Sequence, residues 1–303
     1  MKMIIMSFLS RLKKNVIILR YCYLQWRDKE KTEYLKALKI MSMDDTLEYV
    51  ITNRCSMTRY GDGEFLVMGG GGNGFQKEDE KLATRLRQVL KDPLPNLLIC
   101  IPSFLKDVSP FLMNTRLTCL GFNDVHLKDC VMPYVPITNV YGEALVTRFY
   151  MAWRSKKHVD EHIKRLKNLW DKEDLLIVEG YGSRLGVGNS LFANAKSISR
   201  ILCPQENAFD VYDNILNEVK KHSHRRLVIL ALGMTATILA YDLSKEGIRA
   251  LDLGHVDVEY EWFKMKATRK VPIPNKVMAE VVGGKDIPKS NDREYLGQIL
   301  SRV

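Results

Sequence analysis

Short continuous runs of apolar residues alternate with stretches of helical periodicity along most of this 303-residue chain. The apolar runs predict buried β-strands at residues 97–101, 131–137, 175–178, 198–202, 227–232 and 250–253. Apolar positions that recur every three or four residues predict helices at residues 30–54, 78–91, 158–170 and 234–245. Because continuous apolar strands between helices are typical of a parallel sheet covered on both faces, we expect an α/β fold. The expected architecture is a Rossmann-like, mostly parallel sheet with helices on both faces, preceded by an N-terminal helical extension.

The positive charge of the chain is concentrated at its N-terminus. Residues 1–40 contain ten Lys or Arg against three acids, so they carry most of the formal net charge of +10. We predict a basic amphipathic extension at 1–40, the main domain at 41–270 and a C-terminal tail at 271–303. A nucleic-acid-binding protein carries its positive charge on the folded domain, so nucleic acid is not expected as a partner. Six cysteines without a C-x-x-C pair favour free thiols in a reducing compartment.

The N-terminal extension interleaves apolar and basic residues. Arg11, Lys13, Lys14 and Arg20 interrupt it, so it lacks the roughly 20 consecutive apolar residues of a membrane-spanning helix. It also lacks the small-residue cleavage site of a signal peptide, so we expect a cytoplasmic protein. A basic amphipathic helix of this kind can lie on an anionic membrane, here at the inner face. The alternative is a solvated helix that packs on its own domain, and the sequence leaves both open.

The loops that follow the apolar runs are where chemistry is expected, because ligands of open α/β sheets bind beyond the carboxyl ends of the strands. The loop at 178–189 holds four glycines in nine residues together with Arg184. Its backbone N–H groups suit a phosphate, and Arg184 adds positive charge. A tight turn without a ligand is the alternative. The loop at 232–237 offers Gly233 for close approach and Thr235 as a helix cap, with or without an anion.

Carboxylates are grouped in a third segment, at residues 252–262. His255, Asp257, Glu259 and Glu261 alternate there with apolar residues. In a strand all four would share one face, and in a helix Asp257 and Glu261 would be neighbours four residues apart. Grouped acids raise one another's pKa, which suits a general base or a metal site. A solvated acidic surface is the alternative.

A second acidic motif, Asp62-Gly63-Glu64, lies just after Arg59. Two carboxylates separated by one glycine can direct oxygens at one hard cation. The glycine-rich stretch at 69–74 predicts a mobile loop. Beside a diphosphate site such a loop can act as a lid.

Together these motifs resemble the bacterial GT-D-type glycosyltransferases, formerly a domain of unknown function. The resemblance covers about residues 45–265 and rests on motifs in the family's order, at 59–65, 76, 178–189, 200–204, 207–209, 233–237 and 254–262. It implies a Rossmann-like fold distinct from the two commoner nucleotide-sugar transferase folds. It also implies a UDP-sugar donor and a divalent cation, Mn²⁺ or Mg²⁺. The expected reaction transfers a hexose, often glucose, to a glycan acceptor on a glycoprotein or a surface polysaccharide.

The resemblance gives individual residues their expected roles. The metal motif maps onto Asp62 and Glu64. The catalytic base is expected in the acidic segment, with Glu261 as the first choice, followed by Glu259, Asp257 and His255. Substrate binding is expected at Arg59, Gly61, Gly63, Gln76, Gly182, Arg184, Gly188, Asn189, Gly233 and Thr235.

Two other functions are weighed against this one. A Rossmann-like enzyme acting on another phosphorylated small molecule would share the phosphate loops. A dehydrogenase would need a G-x-G-x-x-G motif, which the sequence lacks. A non-catalytic membrane-surface binding protein would use the basic extension, but it would not need the acidic motifs.

Overall fold

A computed structural model of the chain describes residues 2–71, 76–278, 280–281, 284 and 287–303. Of the glycine-rich loop predicted at 69–74, Gly72, Asn73 and Gly74 lie outside these residues.

The strands of the described chain form one parallel sheet. They are β1 (Lys39–Ile40), β2 (Ser56–Arg59), β3 (Leu97–Ile101), β4 (Val140–Glu143), β5 (Asp174–Gly180), β6 (Ser197–Cys203), β7 (Leu227–Ala231), β8 (Ala250–Asp252) and β9 (Ile299–Arg302). Their order across the sheet is β1-β4-β3-β2-β8-β7-β5-β6-β9, and each neighbouring pair is parallel. Five of the six predicted apolar runs are central strands, so the predicted fold class is confirmed.

The predicted strand at 131–137 is wrong. The segment Leu127–Val131 is a π-helical turn, and the strand begins further along the chain at Val140. Pro133 and Pro136 have no N–H group to donate to a neighbouring strand, which keeps this apolar stretch out of the sheet.

The helices connect the strands on both faces of the sheet. They are α1 (Lys2–Arg27), α2 (Lys29–Ala37), α3 (Met43–Asn53), α4 (Asp62–Met68), α5 (Glu80–Lys91), α6 (Met113–His126), α7 (Val159–Lys167), α8 (Tyr212–His222), α9 (Met234–Lys245), α10 (Val256–Lys264) and α11 (Arg293–Gln298). The single helix predicted at 30–54 is wrong, because α2, β1 and α3 divide it. Ser42 begins α3 by accepting a hydrogen bond from the N–H of Asp45, and this cap separates two helices of similar periodicity.

Hydrophobic cores on the two faces fix the layers. On one face, Leu47 of α3, Leu166 of α7 and Trp262 of α10 belong to one buried cluster. On the other face, Phe65 of α4 and Ile238 of α9 belong to a second cluster, which α5 and α6 join. Sheet and helices therefore form three layers, as expected for strands that are apolar on both faces.

The two ends of the chain pack on this domain. Helix α1 lies against α6, where Lys14 donates a hydrogen bond to Asn114. At the other end, β9 pairs with β6 and becomes the last strand of the sheet. The C-terminal segment therefore contributes a strand, β9, to the sheet.

Candidate active site

The candidate segments meet at one edge of the sheet. Strands β2, β8, β7 and β5 are consecutive neighbours and run parallel, so the loops that follow them emerge together. From β5 the chain continues to β6 on one side, whereas from β7 it continues to β8 on the other. In open α/β sheets a reversal of this kind marks the crevice in which ligands bind.

Asp62 and Glu64 begin helix α4 and differ in their surroundings. Gly61 precedes the helix, and Glu64 turns back so that its Oε2 accepts a hydrogen bond from the Gly61 N–H at 2.7 Å. A Cβ at residue 61 would lie 3.1 Å from that oxygen, so glycine leaves room for the contact. Burial raises the pKa of Glu64 to about 7. Asp62 is exposed, and its negative charge at the N-terminus of α4 stabilises the helix.

Asp62 suits a divalent cation better than Glu64 does. Residues two apart on a helix point to different sides, and one oxygen of Glu64 is held by Gly61. Among the described residues no group of three or more His, Cys, Asp and Glu has the arrangement of a metal site. Mg²⁺ sites often use one or two carboxylates, with substrate phosphates and water completing the coordination. Asp62 is the exposed carboxylate for a cation of this kind, and Glu64 would have to release its hydrogen bond to Gly61 to become the second ligand.

Arg59 holds the ends of two strands together. Its Nη2 donates to Oδ1 of Asp252 at 2.8 Å and to the carbonyl oxygen of Gly254 at 3.0 Å. Its Nε donates to the Asp252 carbonyl, and its Nη1 donates to Oγ1 of Thr147 at 2.6 Å. The guanidinium is committed to these protein groups. Arg59 therefore shapes the crevice by joining β2 to β8, and Gly61 and Gly63 lie directly after it.

The first turn of α9 packs against the end of β2. Oγ1 of Thr237 donates to the carbonyl oxygen of Arg59 at 3.0 Å, and Thr58 donates to the carbonyl oxygen of Thr237 at 2.8 Å. Gly233 precedes the helix at a φ of 55°, a conformation that favours glycine. The Oγ1 atom of Thr235 is buried and has no hydrogen-bond partner among the described residues. A helix N-terminus beside an unsatisfied hydroxyl suits an anion.

The glycine-rich loop after β5 packs against the C-terminal segment. Gly182 has a φ of 94°, and a Cβ there would lie 2.6 Å from Cγ2 of Val277. Gly188 has a φ of 77° and open space around it. The buried Arg184 donates to the carbonyl oxygens of Asn275 and Pro288. In this arrangement Arg184 fixes the loop to the C-terminal segment and does not point a free guanidinium into the crevice.

The acidic segment is helical from Val256, and the helix separates its side chains. Asp257 and Glu261, four residues apart, both accept hydrogen bonds from Nδ2 of Asn189, at 2.7 and 2.6 Å. The predicted proximity of these two carboxylates is confirmed. The buried Lys276 lies 2.5 Å from Oδ2 of Asp257 and 3.3 Å from Oε1 of Glu261. Burial raises the pKa of Asp257, and the Lys276 charge opposes that shift.

Glu259 does not share the partners of Asp257 and Glu261 but binds the backbone at residues 150–151. Its Oε2 accepts hydrogen bonds from the N–H groups of Tyr150 and Met151, at 2.7 and 2.8 Å. The side chain is buried, and burial raises its pKa. Glu259 therefore satisfies two backbone donors that would otherwise be buried without partners.

His255 joins a separate charged cluster. Its Nε2 lies 2.6 Å from Oε1 of Glu280, and Nη2 of Arg148 contacts both His255 and Glu280. Burial and the Arg148 charge lower the pKa of His255. Against the effect of burial, the charges of Glu280, Glu259 and Asp62 raise the pKa of Arg148. Asp62 therefore lies within electrostatic range of the groups around His255.

Gln76 is buried at the start of the segment that leads into α5. The next residue, Lys77, pairs with Asp210 at 2.7 Å, and its N–H donates to Oδ1 of Asn207. The Gln76 segment is thereby held against residues 207–210, another stretch that carried the resemblance.

Three charged residues near the site were not found from the sequence: Arg148, Lys276 and Glu280. None of the three belongs to a recognisable motif, and the ion-pair partners of each lie far away along the chain. No short-range pattern could have identified them.

The sequence profile of the glycosyltransferase GT-D fold family matches residues 57–281, most of the chain. The chain belongs to the GT-D family. The match contains residues 57–59 of β2, the Asp62 motif, the loops after β5, β7 and β8, and α10, so the candidate site lies within the GT-D match.

Relatives and solved structures agree with this GT-D assignment. The chain is 38% identical over 271 residues to the probable glycosyl transferase Gly of Streptococcus gordonii, and 35% identical over 272 residues to the glycosyltransferase GlyD of Streptococcus pneumoniae. These matches cover 88% and 89% of this chain but only 39% and 33% of the two relatives, so the chain spans well under half of their length. One solved structure is of the domain of unknown function 1792, described as having a distinct glycosyltransferase fold. It is 38% identical to this chain, with a TM-score of 0.81, and the match covers 90% of this chain and 98% of the solved one. A glycosyltransferase of the same domain class from Streptococcus sanguinis is 36% identical with a TM-score of 0.81, covering 88% and 99%.

Proposed function

We propose that this GT-D domain transfers a hexose, with glucose favoured, from a UDP-sugar to a glycan acceptor in the biosynthesis of a glycoprotein or surface polysaccharide. Family membership supports glycosyl transfer. The observation that carries the site assignment is the convergence of the Asp62 loop, the N-terminus of α9 and the Asp257–Glu261 pair at one sheet edge.

The donor diphosphate is assigned to the first turn of α9. Thr235 offers a buried hydroxyl without a partner, and the N-terminus of the helix favours negative charge. Gly233 lets the backbone approach closely, because no side chain stands between it and the ligand. These groups would stabilise the charge that develops on the departing UDP.

Asp62 and Glu64 would hold Mn²⁺ or Mg²⁺, which when bound acts as a Lewis acid toward the leaving diphosphate. The protein's own contribution is the position of the two carboxylates at the start of α4, next to the Arg59 junction of β2 and β8.

Glu261 is the proposed base for the acceptor hydroxyl. It is partly exposed, unlike Glu259, and it accepts a hydrogen bond from Asn189 that fixes its orientation. The ammonium of Lys276 lies 3.3 Å from Oε1 of Glu261 and holds the carboxylate on the side of Asn189 and Asp257. Asp257 is buried against Lys276, which makes it the positioning partner of this pair.

Hydrolysis of a panel of UDP-sugars, with and without EDTA, tests the proposal. We expect metal-dependent hydrolysis that prefers one UDP-hexose and is lost in Asp62→Ala. Glu261→Gln should lower kcat by about 10²–10⁴-fold while leaving UDP binding nearly unchanged.

The matched control is Glu48→Gln on the exposed side of α3, which should retain wild-type activity. Full activity in EDTA would contradict the role of Asp62. Wild-type kcat in Glu261→Gln would remove that residue as the base.

A further inference from the structure

Helix α1 carries an apolar stripe that the described part of the chain leaves exposed. Leu12, Val16, Leu19, Tyr23 and Trp26 recur at intervals of four and three residues, which aligns them along one side of the helix. All five are exposed, Leu19 by 68% and Trp26 by 71%. Apolar residues aligned in this way form a contiguous patch, unlike the scattered apolar residues of ordinary surfaces.

The opposite side of α1 attaches the helix to the domain. Ile18 is buried, and Lys14 donates to Oδ1 of Asn114 at 2.8 Å. Tyr21 lies against Gly121 of α6, where a Cβ would be 3.6 Å from the tyrosine hydroxyl. Positions 14, 18 and 21 lie about half a turn around the helix from the apolar stripe. The stripe therefore faces away from α6, and the domain holds it outward.

Positive charge runs along the same helix. Lys13, Arg20 and Arg27 each follow a stripe residue by one position, at intervals of seven, and all three are exposed. Residues 1–27 contain six Lys or Arg and no acid. A second copy of α1 would bring two positive surfaces together, which is unfavourable. An anionic surface would pair with them.

We propose that this face of α1 docks the protein on an anionic membrane surface. The apolar stripe would enter the headgroup region while the basic row pairs with lipid phosphates. Tyr23 and Trp26 are of the residue types that favour the membrane–water interface. No helix in the described ranges is long and apolar enough to cross a bilayer, so α1 would lie in the membrane plane. This proposal is independent of the transfer chemistry, because α1 precedes the GT-D match at 57–281.

Co-flotation of the full chain with vesicles tests the proposal. One set contains about 30% phosphatidylglycerol in phosphatidylcholine, and the other contains phosphatidylcholine alone. Binding is expected to the first set and to weaken strongly with added salt, because the charge attraction is screened. The Leu19→Ser, Trp26→Ser double variant should lose at least about tenfold in affinity for the anionic vesicles. The Lys13→Glu, Arg20→Glu, Arg27→Glu variant should lose binding.

Matched variants elsewhere on the surface provide the controls. Leu296→Ser changes an exposed apolar residue of α11, and Lys91→Glu, Lys164→Glu, Lys172→Glu reverses three exposed charges. Both should bind like the wild type, and light scattering should show that every variant keeps the native mass. Failure of the wild type to bind anionic vesicles would overturn the proposal, as would unchanged binding in the α1 variants. A dimer that Leu19→Ser, Trp26→Ser dissociates would instead identify a second copy as the occupant.

Discussion

Glu259 and Glu261 are two residues apart on α10, and this spacing gives them different surroundings. Glu259 is buried and accepts two backbone N–H groups, those of Tyr150 and Met151. Glu261 is partly exposed and shares Asn189 and Lys276 with Asp257. A carboxylate that satisfies buried backbone groups serves stability, whereas one that reaches the crevice is available for chemistry.

Alanine substitutions should separate these two roles. Glu259→Ala leaves two buried N–H groups without an acceptor and should lower the free energy of unfolding by about 2–4 kcal/mol. Glu261→Ala should cost about 1 kcal/mol, because Asp257 still occupies both partners. Urea unfolding at pH 7 measures both values. Equal losses of stability would contradict the assignment of Glu259 as the structural residue.

At the scale of the element, the first turn of α9 places two similar threonines in different roles. The Thr237 hydroxyl bonds to the Arg59 carbonyl and joins the helix to β2, whereas the Thr235 hydroxyl is buried without a partner. An unsatisfied buried hydroxyl costs free energy in the ligand-free protein. The donor phosphate of the proposed reaction would recover that cost if one of its oxygens accepted this hydrogen bond.

Valine substitutions at the two positions test this difference. Thr235→Val should raise the free energy of unfolding by about 1 kcal/mol and weaken UDP binding about tenfold. Thr237→Val removes the donor to Arg59 and should lower stability by about 1–2 kcal/mol with UDP affinity nearly unchanged. Thermal unfolding and calorimetric titration with UDP provide the readouts. Tighter or unchanged UDP binding in Thr235→Val would exclude its hydroxyl from the phosphate site.

At the scale of the whole molecule, local patterns predicted the sheet better than the site. The runs at 97–101 and 227–232 are strands because their side chains are buried on both faces, and α9 begins and ends where its periodicity predicts. The segment at 131–137 is a weaker apolar run, and its two prolines keep it out of the sheet. Local apolar content therefore predicts burial, whereas membership of the sheet also depends on backbone donors.

The candidate site was predicted as a set of segments but not as a network. The motif Asp62-Gly63-Glu64 identified Asp62, whereas Thr235 and Glu261 were identified because their segments follow predicted strands. The roles of Arg59 and Arg184 as structural links could not be predicted, since their acceptors, most of them backbone carbonyls, are far away in sequence. Such contacts depend on the assembled fold and leave no periodic trace in the chain.

The C-terminal segment completes this network, and Lys276 is its main link to α10. The buried ammonium pairs with both Asp257 and Glu261, so Lys276→Met leaves two carboxylates near each other without a cation. Breaking a buried ion pair in this way should cost about 3–5 kcal/mol at pH 8.

The loss of stability in Lys276→Met should depend on pH. Without Lys276 the pKa of Asp257 rises further in the folded state, so the variant loses stability as pH increases above the unfolded pKa of an aspartate near 4. The deficit relative to wild type should therefore be smaller at pH 5 than at pH 8 in urea unfolding. Lys289→Met, an exposed change in the same segment, should show no such pH dependence, and a deficit in Lys276→Met that is constant with pH would mean that Asp257 does not depend on this charge.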